Sequence, residues 1–277
     1  MTRATRWPVY AAVLLGSTMA AQADEGGLLD ERFSVGLGTF FLSSNTNVRA
    51  DAFGSGEIGT PIDLEDTFEL EDENVFRVDA SWRIGSRHIV RAMYFESDRS
   101  RRKVIDEQIE FAGETFPIAA EVRADFDFDI TELAYEYVLL DRDQYQLGAS
   151  FGIHNAGFRI GLSADVNSPG GGGSAEIAAD VSTNAPLPVL GLRGRWHLAG
   201  NLYAQAHAQY FQLAFDGYDG NIQDYEAALI WQVKRHVGLG AAYNTFVTHI
   251  ETDDRDHFEG RLRWRYSGAQ LFMRMSF

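Results

Sequence analysis

The chain closes on Phe258-Glu-Gly-Arg-Leu-Arg-Trp-Arg-Tyr-Ser-Gly-Ala-Gln-Leu-Phe-Met-Arg-Met-Ser-Phe277, and its reading turns on alternation. From Ala269 onward the odd positions Ala269, Leu271, Met273, Met275 and Phe277 are apolar. That is the period-two signature of a strand with two unlike faces. Before Ser267 the apolar set is even-numbered instead: Phe258, Leu262, Trp264 and Tyr266. One inserted residue, a β-bulge at Ser267-Gly268, reconciles the two phases within one long strand. It also turns Arg263 and Arg265 to the same side as Arg274.

The same alternation runs upstream. Phe76, Val78, Ala80, Trp82 and Ile84 oppose Arg77, Asp79 and Arg83. Leu133, Tyr135, Tyr137 and Leu139 oppose Glu132 and Glu136, Leu190, Leu192 and Trp196 oppose Arg193 and Arg195, and Tyr225, Leu229 and Trp231 oppose Glu226. Short turns at 85–86, 141–143, 199–201 and 234–235, with longer polar connections at 53–72, 99–118, 166–175, 216–221 and 252–256, join ten strands. These are expected near 31–50, 74–85, 87–98, 119–140, 144–164, 178–198, 201–215, 222–234, 236–251 and 257–277. Twelve strands is the alternative, if 45–65 held a further spanning pair.

At the amino terminus Arg3 and Arg6 precede an apolar run from Trp7 to Ala21, which closes on Ala21-Gln22-Ala23. This is a signal-peptide pattern, so residues 1–23 are expected to be cleaved before Asp24, leaving 24–277 as one domain. The chain has no cysteine to carry a lipid anchor. Its one charge-free stretch of spanning length after residue 24, Trp196–Phe215, contains a Gly200-Asn201 turn and reads as two strands. A 45% hydrophobic content argues against disorder, and 40 Asp and Glu against 24 Lys and Arg argue against nucleic acid as a partner.

The carboxyl-terminal segment resembles the closing strand of Gram-negative outer-membrane β-barrel proteins, with Met273 and Met275 where Leu or Tyr is usual. The resemblance implies an all-β, antiparallel up-and-down transmembrane barrel in the cell outer membrane, with long extracellular hairpin extensions. It implies that Leu271, Met273, Met275 and Phe277 form the signal read by the barrel-assembly machinery. Both termini then lie in the periplasm, and the strand count is even.

Such a barrel turns its polar face inward. Arg77, Asp79, Arg83, Glu132, Glu136, Arg193, Arg195, Glu226, Arg263, Arg265 and Arg274 form the expected lumen charge network. The chain has 22 arginines but only Lys103 and Lys234 as lysines, a bias suited to planar pairing with carboxylates. Ten strands with long side chains of both signs predict a structural barrel, or a narrow pore, with a largely plugged lumen. The alternative is an outer-membrane enzyme acting on lipid or peptide at the extracellular rim. Ser150 with His154, or His249 with Asp253 and Asp254, are the loose candidates for it. The sequence assigns no catalytic, cofactor or metal site: its acidic loops lack Ca²⁺-loop spacing and Gly170–Gly173 lacks a following Lys-Ser/Thr. Arg99, Arg101, Arg102 and Lys103 lie just past the outward end of the third strand. They are candidates to contact the phosphates of lipopolysaccharide, or to pair with the acidic loop 53–73.

Overall fold

The computed structural model describes residues 27–52, 57–167, 174–215, 218–254 and 258–277. The signal segment 1–23 and the cleavage site before Asp24 lie outside the described residues. The alternating segments form long strands: β1 Phe33–Ala50, β3 Glu73–Ile84, β4 His88–Val104, β7 Glu121–Arg142, β8 Tyr145–Asn167, β9 Ser174–Ala199, β10 Leu202–Phe215, β11 Tyr218–Lys234, β12 Val237–Asp254 and β13 Phe258–Ser276. Each pairs antiparallel with the next, and β13 pairs back onto β1 from Ser34↔Ser276 to Ala50↔Gly260. The ring therefore closes with ten strands and no free edge in the membrane, as backbone polar groups in hydrocarbon require. Between β1 and β3 lie β2 Ile62–Asp63 and the helix α1 Leu64–Phe68. Between β4 and β7 lies a small hairpin, β5 Ile109–Phe111 with β6 Glu114–Phe116.

The turns at one end are tight. Gly85 and Gly200 adopt φ of 76° and 55°, left-handed values that cost glycine little. Around that end Trp82, Tyr145, Trp196 and Trp231 point outward and are exposed, as an interfacial aromatic girdle does. Above them the outer face is an apolar belt that includes Phe76, Leu133, Phe151, Leu190, Leu229, Tyr243 and Leu271.

The strands continue past the belt, and there their two faces exchange character. On β7 the inward residues are Glu136, Ala134 and Glu132, then Ile130, Phe128, Phe126, Ala124 and Val122, while the outward residues pass from Leu133 to Asp129, Asp127 and Asp125. On β8 the inward series passes from Ser150 and His154 to Ala156, Phe158, Ile160 and Leu162. The physical cause is the medium: lipid outside favours an apolar exterior, and water beyond the headgroups favours a polar one.

This exchange overturns the bulge expected at Ser267-Gly268. The β12–β13 and β13–β1 registers run unbroken through both residues. The even positions Leu262, Trp264, Tyr266 and Gln270 all point inward, and the odd positions Arg261, Arg263, Arg265, Ala269, Leu271 and Met273 all point outward. Gly268 serves close packing instead, since a Cβ there would lie 1.9 Å from the carbonyl oxygen of Phe41. Register shifts do occur, at Val138/Leu140, Leu202/Tyr203 and Gln232/Lys234, near the tight turns.

Beyond Leu190, β9 pairs with β8 alone among the described residues. Pro186 and Pro188 lie on that stretch, where a residue without an N–H is tolerated and blunts strand addition.

Candidate functional site

The interior of the ring is filled in three layers. At the tight-turn end the segment before β1 enters the lumen. Leu28 and Leu29 are buried with Tyr203, Ile230 and the partly buried Phe272. The Arg83 guanidinium donates to the Leu29 carbonyl oxygen at 2.7 Å, and Glu31 pairs with Arg274 at 2.5 Å. Nothing in the alternation of the strands signalled this stopper, because Leu28 and Leu29 precede the first strand.

Above it lies a charged layer. Arg77 pairs with Glu226 at 2.9 Å and Asp79 at 3.0 Å, and Arg195 with Glu136 at 2.9 Å. Arg91 lies 3.5 Å from Glu132 and 3.4 Å from Glu136, and Arg193 lies 3.7 Å from Glu136. Arg83 also donates to Gln146 at 3.0 Å. The guanidiniums of Arg77, Arg83, Arg91, Arg193, Arg195 and Arg274 thus balance the carboxylates of Glu31, Asp79, Glu132, Glu136, Asp224 and Glu226. Balance of this kind is what permits so many charges away from water. A cavity of about 60 Å³ remains among Arg77, Arg91, Glu132, Gln205, His207 and Gln270. That is room for ordered water beside the otherwise unpartnered Arg77 Nη1, Gln205 Oε1 and Gln270 Nε2.

Glu132, His154 and Asp224 bring ligand atoms within 4.8 Å of one another, a spacing that invites comparison with a metal centre. Hydrogen bonds within the layer engage each of the three, although His154 Nδ1 has no partner among the described residues. His154 Nε2 meets Gln209 Oε1 at 2.8 Å, and Gln209 Nε2 donates to Glu132 at 2.8 Å. Asp224 meets His207 at 3.2 Å and accepts from Asn244 at 2.7 Å. A divalent ion would add charge to a layer whose arginines and carboxylates already balance.

The third layer, in the extension above the belt, is aromatic. Phe128 of β7 and Trp264 of β13 meet across the lumen with ring centroids 4.5 Å apart. Phe158 of β8 lies 5.1 Å from Trp264, and Phe246 of β12 stacks on Tyr266 at 4.8 Å. Phe95 of β4 reaches Tyr266 at 5.5 Å. Rings from opposite walls thus touch at this level.

A lid covers the aromatic layer. Leu64 and Phe68 of α1 and Ile109, Phe111 and Phe116 of the β5–β6 hairpin are buried on it. Asp63 caps α1 by accepting from the Asp66 N–H at 3.1 Å. Glu65 pins the helix down, accepting from the Ser44 hydroxyl at 2.9 Å and the Thr46 N–H at 2.5 Å, and pairing with Arg99 at 3.0 Å. Arg99 also lies 5.0 Å over the Phe126 ring. Arg101 pairs with Glu71 at 3.2 Å and Lys103 with Glu69 at 2.9 Å. The Lys103 hydrogen bond, with its charge, lowers the Glu69 carboxyl below its usual range. Arg99, Arg101, Arg102 and Lys103 lie within β4, which runs on to Val104, and not past the strand's end as expected, because β7 continues to pair with it through Val104↔Glu121. Among the described residues Arg102 has no carboxylate on this loop, and pairing with the acidic loop is the arrangement the other three adopt. The loop is accordingly a tied lid.

The remaining sequence candidates fall as follows. Arg77, Asp79, Arg83, Glu132, Glu136, Arg193, Arg195, Glu226 and Arg274 face the lumen. Arg263 and Arg265 do not: they are exposed on the outer wall, because β13 has no bulge and has left the membrane at that height. Arg91, His207, Gln209 and Asn244 complete the charged layer and escaped the sequence reading, although Arg91 alternates with outward Val90 and Ala92. Ser150 and His154 both face inward but sit four residues apart on one strand, roughly 13 Å, and His154 is fully buried. His249 is on the outer wall 3.8 Å from Glu251, and the side chains of Asp253 and Asp254 lie outside the described residues. Leu271 and Met273 face outward, and the Phe277 carbonyl oxygen accepts from the Arg32 and Phe33 N–H groups at 3.0 and 2.9 Å.

No family model matches the chain, and no curated protein sequence does. Among solved structures the chain is similar to the outer membrane protease OmpT from Escherichia coli, with TM-score 0.56 and 12% identity over 91% of this chain and 98% of that one. Matches to the toluene transporter TodX of Pseudomonas putida (TM-score 0.38, 9% identity, 90% of each chain) and to Ail of Yersinia pestis (0.32, 10%, 87% and 97%) are looser. At these identities the likeness is one of fold. The closed ten-stranded ring with its apolar outer belt is a transmembrane-type β-barrel, a fold it shares with OmpT.

Proposed function

We propose that this protein is a closed structural barrel, an integral outer-membrane scaffold with a plugged lumen that holds a rigid extension above the lipid. The observation that carries this reading is the contact of Phe128 with Trp264 across the bore, with a charged layer and the Leu28-Leu29 stopper beneath it. A narrow pore needs a continuous wetted path, and each layer interrupts one. The buried His154 and the paired acidic loop lend nothing to the enzymatic reading. Outer-membrane lipid is the constant partner in this proposal, and the barrel-assembly machinery is the transient one, through Leu271, Met273, Met275 and Phe277. In the same proposal the mature chain starts at Asp24.

The test is planar-bilayer recording of the refolded protein. The expected result is insertion without conductance steps above leak. Reproducible unit steps would sink the closed-barrel reading in favour of a pore.

A further inference from the structure

The outer wall of β13 passes from lipid-facing to charged within a few residues. Ala269, Leu271 and Met273 belong to the belt, and on the same face stand Ser267, Arg265 and Arg263. By register, Ala269 lies between Tyr243 and Phe41, two exposed aromatics. With about 3.3 Å per residue and a tilt of about 40°, Arg265 stands roughly 10 Å above that row. This is the height of headgroups just outside the hydrocarbon, and a long arginine stem can reach down from it.

Both arginines are exposed, and neither makes an ion pair or hydrogen bond among the described residues. Three other outer-wall arginines pair with carboxylates, Arg261 with Glu251 at 2.8 Å, Arg49 with Asp51 at 3.0 Å and Arg123 with Asp125 at 2.7 Å; Arg159 lies opposite Asp127 by register, and Arg102 makes no ion pair among the described residues. The cross-strand neighbours of Arg265 are Val247 and Asn45, and those of Arg263 are His249 and Asn47. None of these is acidic, although Asn45 donates to Asp63 at 2.9 Å. The outer wall of β4 and β7 carries Glu96, Asp98, Asp127 and Asp129 instead. On β13 two adjacent outward arginines therefore stand together unneutralised, on a chain of net charge −16.

We propose that Arg263 and Arg265 bind the lipid A phosphates of outer-leaflet lipopolysaccharide, with the Asn47 amide beside them. The proposal rests on the outer-membrane barrel reading and adds a partner to it. Guanidiniums two residues apart on one face lie about 7 Å from each other, a spacing that can straddle one phosphate or grip two with charge-assisted, bidentate bonds. Continuity with the belt directly below makes a lipid the occupant, since its acyl chains would lie against Leu271, Phe41 and Tyr243 while its phosphates meet the arginines.

The experiment uses the full mature protein in phosphatidylcholine nanodiscs, with heat-modifiable gel mobility as the check of folding. It is titrated with lipid A and with dephosphorylated lipid A. Wild type should bind lipid A at least tenfold more tightly, with the difference shrinking as salt rises. R263Q/R265Q should erase that preference, and R261Q should keep it. Equal binding of the two lipids by wild type overturns the proposal without recourse to any variant, and so does an unchanged preference in R263Q/R265Q. Full competition by equimolar inorganic phosphate would assign the site to a free anion and overturn the lipid assignment. A wild-type protein lacking heat-modifiable mobility would fail at the barrel reading itself, and the site would fall with it.

Discussion

Trp264 is fully buried against Phe128, Phe158, Phe246 and Tyr266, with ring centroids 4.5 to 5.5 Å away. Rings held from several strands cannot all collapse into the space that one of them leaves. Trp264→Ala should therefore cost about 3–5 kcal/mol, read as a lowered urea midpoint of the folded barrel in lipid. An unchanged midpoint would show that the aromatic layer contributes no stability. Glu65 offers a different kind of test, because removing it leaves Arg99 buried without its carboxylate. Glu65→Ala should destabilise the lid by roughly 3 kcal/mol and expose residues 57–72 to limited proteolysis while the membrane ring stays intact. Cleavage at the wild-type rate would remove Glu65 from its anchoring role. Both side chains were visible in the sequence, but only as a strand aromatic and a loop acid, since their partners lie on strands distant in the chain.

At the scale of elements, the lid and the last strand behave differently. The exposed pairs Glu69–Lys103 and Glu71–Arg101 are weak, so α1 depends on Glu65 and on the burial of Leu64 and Phe68. Because Lys103 lowers the Glu69 carboxyl, their pairing is intact above the ordinary carboxylate range and is lost as pH falls through the lowered value. Hydrogen exchange of residues 69–70, at the end of α1, should accordingly quicken modestly as the pH falls below the ordinary carboxylate range, beyond the acid-induced change in intrinsic rate. Protection independent of pH would separate the lid from this pair. The last strand closes the ring along its length, and Phe277 ties its end to Arg32 and Phe33. Deleting Phe277 should lower the folded surface level well below that of a Tyr210→Ala variant on the outer wall. Equal levels would count against Phe277 as part of the assembly signal.

For the whole molecule, the proposal of a bore closed in series has a distinctive consequence. Removing residues 24–30 takes away Leu28 and Leu29 but leaves Glu31 with the charged layer and the aromatic layer, and F128A/W264A removes aromatic contacts but leaves the other two. Each variant alone should still record no conductance steps in a planar bilayer. Steps in either one would show that a single layer closes the bore. The acidic excess of the chain also has a location at this scale, since much of it lies in the extension: Glu96, Asp98, Asp125, Asp127 and Asp129 on the outer wall, and Glu65, Glu69 and Glu71 in the lid.

Period-two alternation and tight-turn residues were enough to read an all-β barrel of ten strands, their tight-turn ends close to the observed limits, while the third strand runs on to Val104 past its expected end. These are local properties, set by which residues adjoin along one strand. Which face of each strand points inward above the membrane is not local. On β13, Leu271 and Arg263 share the outer face, and Gln270 and Trp264 share the inner one. Alternation records only that two faces differ, so an inversion of polarity along a straight strand looks identical to a bulge. The tertiary structure decides between them, because only there does the outer wall pass from lipid into water while the bore passes from paired charges into packed rings. The stopper at Leu28-Leu29 and the lid at Glu65 depend on the ring in the same way, since the surfaces that bury them exist only once the ring has closed.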